Sequence, residues 1–257
     1  MIFLLKKVTL LLLLAISPLS VSAASLPPRE VINELKQFDG TVGFYAKNLK
    51  TSKTITYGQD TVFPTASTSK LVVAMAVYKY MYDKAPDAKK DRYSSDIGYM
   101  MRISDNDSFY ELLDEIQTVK PDALKQVTKD LRLKQTRIHN EDAFKKYQYH
   151  SVTTPYEMAK VFESINSERY LGREKSLSLK NNLANTIFHD EIPRYMQTPV
   201  MHKVGQLDDV LCDVGIIDDG RDQILVSVYT IAGNSDYASD FIAKVAAKAY
   251  NALRTSK

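Results

Sequence analysis

The sequence contains no tryptophan, a single cysteine and only four histidines in 257 residues. One cysteine excludes an intramolecular disulfide, whatever the compartment, and leaves no thiolate cluster for a metal. Cys212 lies in an apolar, alternating stretch, the setting of a buried structural thiol rather than a reactive one. The histidines are scattered without H-E-x-x-H or paired spacing, so neither a metal nor any other cofactor is read from them. Strong charge of one sign is missing too. The net charge of +3 falls to +1 without Lys6 and Lys7, and no basic tract exists, which gives no case for nucleic acid as a partner. Low-complexity segments and internal repeats are absent. Long apolar runs are absent beyond the first residues, where Lys6-Lys7, the run Val8–Ile16 and the small residues Val21-Ser22-Ala23-Ala24 follow one another. That order is the pattern of a cleaved targeting segment, residues 1–24, with a core too short for a comfortable membrane span. The mature chain is therefore expected outside the cytoplasm, periplasmic or secreted, with no membrane span and as a monomer.

What is present is an ordinary globular composition, 44% hydrophobic and 25% charged. Val31, Ile32, Leu35 and Phe38 recur at helical spacing before Gly40. Thr41–Lys47 and Lys53–Tyr57 read as strands around the turn Asn48–Ser52. The middle reads as helices at 68–83, 94–103, 106–117, 121–130, 155–166 and 173–184, joined by polar stretches such as Lys84–Asp91. Thr154-Pro155 marks a helix start, with Thr154 as cap and proline in the first turn. Strands return at Val200–Gln206, Val210–Ile217 and Gln223–Ile231, with Asp219-Gly220 as a hairpin turn, before a last helix from Ser235 or Asp236. The expected fold is α/β (α+β): one antiparallel five-stranded sheet built from both ends of the chain and flanked by the terminal helices. Residues 25–66 and 186–257 form that discontinuous domain, and 67–185 form an inserted all-helical domain. A site belongs in the cleft between them.

Ser67-Thr68-Ser69-Lys70 sits at the crossing point, after Phe63-Pro64-Thr65-Ala66 and before the apolar run Leu71–Tyr78. At a helix start, Lys70 falls one turn from Ser67, on the same face. A serine needs a neighbouring base to become a nucleophile. A lysine desolvated by an apolar helix can be that base. Ser67 is the only serine here with a lysine three places on. Taken alone, the pattern equally describes a helix cap followed by a surface lysine. Two further triplets carry the same ambiguity. Ser104-Asp105-Asn106 falls at a joint between helices and reads as a cap. Lys203-Val204-Gly205 reads as a solvated strand lysine before a structural glycine.

Together and in this order, the three resemble the penicillin-recognising serine enzymes, the class A β-lactamases and penicillin-binding D,D-peptidases, with their S-x-x-K, S-D-N and K-T-G motifs. The likeness extends to Leu112-Leu113, Thr153-Thr154-Pro155 and Asp213-Val214-Gly215-Ile216, and so covers most of the mature chain. It implies a β-lactamase/transpeptidase-like fold and an acyl-enzyme on Ser67. Lys70 would take the serine proton, and Ser104, helped by Lys203, would pass a proton to the leaving amine. Asn106 would hold the substrate's amide. Gly205 would belong to the substrate-binding strand, and the backbone N–H groups of Ser67 and Gln206 would form the oxyanion hole. β-Lactams or peptidoglycan stem peptides ending in D-Ala-D-Ala would be the substrates.

Two departures stand out. Val204 replaces the threonine or serine of the third motif and offers no hydroxyl to a substrate carboxylate. The family's deacylating glutamate lies in an E-x-x-L-N pattern, and this chain has Glu141-Asp142-Ala143-Phe144-Lys145. Glu141 is the candidate deacylation base, and two solvated loop acids are the competing reading. The expectation is acylation with poor release of β-lactams. The rival is a protein that keeps the fold and binds peptidoglycan or penicillin without turnover.

Overall fold

The computed structural model describes residues 28–255; the targeting segment expected at 1–24 lies outside them. Helix α1 (Pro28–Lys36) leads into the hairpin β1 (Thr41–Asn48) and β2 (Thr54–Tyr57), and then into the short strand β3 (Phe63–Pro64). A 3₁₀ turn, Ala66–Thr68, opens α2 (Ser69–Tyr80). There follow α3 (Asp87–Arg102), α4 (Asn106–Val119), α5 (Ala123–Asp130), α6 (Glu141–Tyr147), the short strand β4 (Val152–Thr153), α7 (Pro155–Asn166) and α8 (Arg173–Ala184). The chain closes with β5 (Val200–Leu207), β6 (Val210–Asp218), β7 (Gln223–Ile231) and α9 (Ser235–Leu253).

The five long strands form one sheet in the order β2-β1-β7-β6-β5, and every neighbouring pair is antiparallel. The chain thus supplies one side of the sheet first and the other side last, as the hydrophobic patterns imply. β6 is buried at every position from Val210 to Ile217, and β7 from Ile224 to Thr230. Continuous burial of this kind needs cover on both faces. α1 and α9 cover one face around Val31, Leu35, Phe241, Ile242 and Val245. The helical segment covers the other around α2, whose residues Ser69–Tyr78 are all buried. A helix that is apolar on every side belongs in a core, and α2 is the axis of this one.

Three local features differ from the sequence reading. α3 begins at Asp87 and so takes in much of the joint expected at Lys84–Asp91. The stripe Tyr93, Ile97, Met100 and Met101 holds this helix to the core, while Asp87 and Lys89 in its first turns face water. That solvated end has the composition of a linker. α6 was not expected, being a single short helix with only Ala143 buried. α2 ends at Tyr80 rather than 83, with a 3₁₀ turn at Tyr82–Lys84 taking up the remainder.

Candidate active site

The approach to Ser67 is fixed before the helix begins. β3 pairs with β4, and Thr65 N–H donates to Ser151 O at 3.0 Å. Thr68 Oγ1 donates to Thr65 O at 2.6 Å and lies 2.7 Å from the Tyr229 hydroxyl, tying the turn to β7. Ser69 Oγ donates to Ala66 O at 2.9 Å. Ala66 has φ +44°, a left-handed conformation that a non-glycine residue adopts only when its surroundings enforce it. The result is a half-buried Ser67 at the mouth of α2.

Lys70 lies one turn on and is 2% exposed. Its Nζ is 2.9 Å from Ser67 Oγ and 2.7 Å from Asn106 Oδ1, with the Phe109 ring 5.1 Å away. Desolvation lowers its pKa to about 8, against a smaller opposing pull from Asp105. The contact with Asn106 does not require a charged lysine. A neutral amine keeps two N–H donors, one for the Asn106 carbonyl, and has a lone pair free to accept the Ser67 proton.

Ser104, Asp105 and Asn106 divide their duties. Asp105 is the cap of α4: its Oδ2 accepts from Ser108 N at 2.7 Å, which lowers its pKa. The helix-cap reading of the triplet therefore holds for its middle residue. Ser104 sits at φ +57° and Asn106 turns toward Lys70. Holding a serine in the left-handed region costs about 1–3 kcal/mol. That conformation goes with a Ser104 Oγ that accepts from Lys203 Nζ at 2.9 Å.

Lys203 is 1% exposed, on β5, and also donates to Val204 O at 2.7 Å. Burial, reinforced by the Lys70 charge, lowers its pKa to about 7. Gly205 explains how β5 comes so close to α2. A Cβ there would lie 2.7 Å from Ser67 N and 3.0 Å from both Ala66 Cβ and Cys212 Sγ. Only glycine lets this strand run alongside the Ser67 backbone. Gln206 follows, exposed, at the end of β5. Val204, 8% exposed, belongs to the apolar cluster that includes Ile192 and Leu211. Cys212 is free and fully buried, and burial raises its pKa.

Glu141 stands apart. It is the first residue of α6, its side chain is 76% exposed, and its Oε1 lies 3.3 Å from His150 Nδ1. His150 in turn stacks on Phe144 at 4.4 Å. No polar contact among the described residues joins Glu141 to Ser67, Lys70 or Ser104.

Sequence reasoning passed over Glu157. This buried carboxylate on α7 accepts from Lys134 N at 2.5 Å, Gln135 N at 3.0 Å, Thr136 N at 2.7 Å and Thr136 Oγ1 at 2.6 Å. It holds the start of the loop that carries α6. Its signal was the T-x-x-E spacing from Thr154, which by itself reads as a capping box. Thr154 does cap, accepting from Glu157 N at 3.2 Å, but the carboxylate is spent on the loop. Among the described residues there is no cluster of His, Cys, Asp and Glu suited to a metal ion, and no helix long and apolar enough to cross a membrane.

Comparison with known proteins follows the same lines. A family model described as the beta-lactamase enzyme family matches residues 27–97 and 93–253. The solved β-lactamase of Sphaerobacter thermophilus superposes with a TM-score of 0.73 at 19% identity, covering 88% of this chain and 96% of that one. A β-lactamase of Chitinophaga pinensis gives 0.76 at 18% identity, covering 87% and 98%. PBP-A gives 0.74 at 20% identity, covering 88% and 94%. At these identities the superpositions show the shared fold. Curated proteins gave no sequence match.

Proposed function

The chain belongs to the beta-lactamase enzyme family, a serine hydrolase of that fold, and on that premise we propose that it forms an acyl-enzyme on Ser67 with β-lactams or D-Ala-D-Ala-type peptides and releases β-lactam acyl groups slowly. The observation that carries the first half is the unbroken set of contacts Asn106–Lys70–Ser67 and Lys203–Ser104, all at 2.7–2.9 Å. Neutral Lys70 takes the Ser67 proton as Oγ attacks the carbonyl carbon. The developing oxyanion is met by the Ser67 and Gln206 backbone N–H groups, each such donor being worth about 3–4 kcal/mol. The proton that Lys70 took then passes by way of Ser104 to the departing nitrogen, Ser104 losing one proton as it regains another, and Lys203 donates to the Ser104 oxygen as it does so. Asn106 and β5, with Gly205, seat the substrate.

The second half rests on Glu141, which is solvated and engaged with His150. Without a positioned base, the acyl group waits on unassisted water. PBP-A, one of the structural relatives, has been captured in a point mutant as an acyl-enzyme complex with penicillin G. The apolar Val204 favours a second reading, a protein that binds peptidoglycan or penicillin without turnover, because a missing hydrogen bond to a charged group weakens binding by about 1.5–3 kcal/mol. In either reading the chain is exported by its N-terminal segment and acts as a monomer on the cell wall or on its inhibitors.

Intact-mass spectrometry after incubation with benzylpenicillin separates the readings. The expected result is a persistent single adduct that Ser67→Ala lacks. Fast product without an adduct would show efficient turnover. Neither adduct nor product, with wild type and Ser67→Ala alike on ester and D-Ala-D-Ala substrates, would overturn acyl transfer.

A further inference from the structure

The connection from α8 to β5 runs from Asn185 to Pro199 and is regular only in the 3₁₀ turn Ile192–Tyr195. Its residues 186–188 are tied down at two points. Ile187 N and Thr186 Oγ1 both donate to Arg102 O, at 3.0 and 3.1 Å, two residues before Ser104. Phe188 O lies 3.0 Å from His202 Nε2 on β5. Between these ties the Phe188 ring stands 5.8 Å from Lys203 Nζ. Three consecutive residues therefore bridge the segment that presents Ser104 and the strand that presents Lys203.

The protonation of His202 follows from its partners. A carbonyl oxygen only accepts, so Nε2 must carry hydrogen toward Phe188 O. Nδ1 lies 2.9 Å from both carboxylate oxygens of Asp213, and a hydrogen on Nδ1 would serve both. Both contacts are met by an imidazolium facing the Asp213 side chain. The pair is sealed from water, at 1% and 0% exposure. Gly215 makes the room, since a Cβ there would lie 2.5 Å from His202 Cβ. Asp213 Oδ2 also accepts from Ile192 N at 3.1 Å, fastening the same connection further along.

The charged surroundings are Lys203 beside His202 on β5, Asp213 on β6, and Glu191 and Asp190 on the connection. His189 and Arg194 line, with His202, an adjoining cavity of about 380 Å³. Burial works against the charged imidazole, but Asp213 outweighs it and the His202 pKa is raised. Glu191 is pushed up to about 7 by burial and by Asp213, so it is largely protonated below that pH.

We propose that His202 is a positioning residue for acylation: as an imidazolium it latches the Phe188 segment to β5 and keeps Lys203 registered on Ser104, and loss of its proton loosens the latch. The role rests on the acyl-serine reading, although the latch itself does not. The sign is that of a raised pKa: the latch is intact at low pH and is lost as pH rises through the His202 value. Neutral imidazole has one N–H for two acceptors, and the adjoining cavity leaves the segment room to shift.

Nitrogen-15 NMR of the wild-type imidazoles provides the direct test. At pH 7 both His202 nitrogens should carry protons, and the Phe188 ring signals should move with the same midpoint as His202 on raising the pH. His202→Phe should slow acylation by benzylpenicillin about tenfold to a hundredfold, the effect of a small misplacement of reacting groups, with binding little changed. Asp213→Asn keeps an acceptor for Ile192 N and lets a neutral imidazole donate from Nε2. It should acylate within about threefold of wild type, with the His202-linked part of the alkaline decline gone. One unprotonated His202 nitrogen at pH 7, or a folded His202→Phe protein that acylates at the wild-type rate, would overturn the proposal. If wild type fails to acylate at all, the acyl-serine reading fails while the NMR result still decides the latch.

Discussion

The cluster around Ser67 and the loop around Glu141 both carry titratable groups, but they are built differently. Lys70 and Lys203 are almost fully buried, each within 2.9 Å of a serine hydroxyl, and burial lowers both their pKa values. A second layer holds the cluster: Thr68 against Tyr229, Asp105 on the end of α4, and Gly205 against the Ser67 backbone. Glu141 has no such layer. It leans on one exposed histidine at the tip of a short helix, and the contacts that hold its loop, Glu157 with residues 134–136 and the backbone pairing of Arg137 with Val152 and of Asn140 with His150, do not involve the Glu141 carboxylate. Preorganisation is costly in buried charge and strain, and here that cost is concentrated around Ser67.

The largest expected effect comes from breaking the organised side at its base. Lys70→Met should lower acylation by about a thousandfold or more, in line with loss of a general base together with its orienting contacts. In the wild type the acylation rate should rise with pH through a limb near 8, as the lowered Lys70 pKa delivers its neutral form. Stopped-flow acylation from pH 6 to 10 reads both effects. A profile flat across pH 8 in Asp213→Asn, which lacks the His202-linked decline, would remove Lys70 as the base.

Next in size is the anchor of the other side. Glu157→Gln puts an amide N–H₂ among the backbone donors of residues 134–136 and should cost roughly 3 kcal/mol of stability. Urea unfolding measures it, and a loss under about 1 kcal/mol would show that the loop holds without this carboxylate.

Val204→Thr tests whether the organised side lacks only substrate anchoring. A hydroxyl beside Lys203 should raise the second-order rate of penicillin acylation by about tenfold, the size of one hydrogen bond to a charged group. No gain in a folded variant would mean that Val204, buried with Ile192 and Leu211, lies outside the substrate's reach.

The five-stranded sheet was readable because its strands are long and bounded by turn residues, and α9 because Phe241, Ile242, Val245 and Ala249 keep their spacing. The meeting of Ser67, Lys70, Ser104, Asn106 and Lys203 was readable because each motif is local and the motifs follow one another in a familiar order. What escaped was non-local and polar. Glu157 holds Thr136, 21 residues away, and Thr68 meets Tyr229, 161 residues away. Periodicity carries no trace of either. Strand alternation puts His202 on the opposite face of β5 from Lys203, but it carries no sign of Phe188 O or of a carboxylate aligned on the other ring nitrogen.

The smallest expected effect is the most pointed. Glu141→Gln removes the candidate base, one of two acids in the first turn of α6, and the decay of the penicillin adduct should change by less than about twofold. The reason is geometric. A base that activates water must be held within hydrogen-bond reach of it and poised in pKa. Glu141 has three-quarters of its side chain in solvent, and its described polar partner is His150. Its exposed contact with that histidine is worth about 0–1 kcal/mol, too little to fix a carboxylate in one place. If deacylation instead falls tenfold or more in the variant, the loop must close on the acyl-enzyme and bring Glu141 in. The asymmetry between the two halves would then belong to the free protein rather than to its reaction.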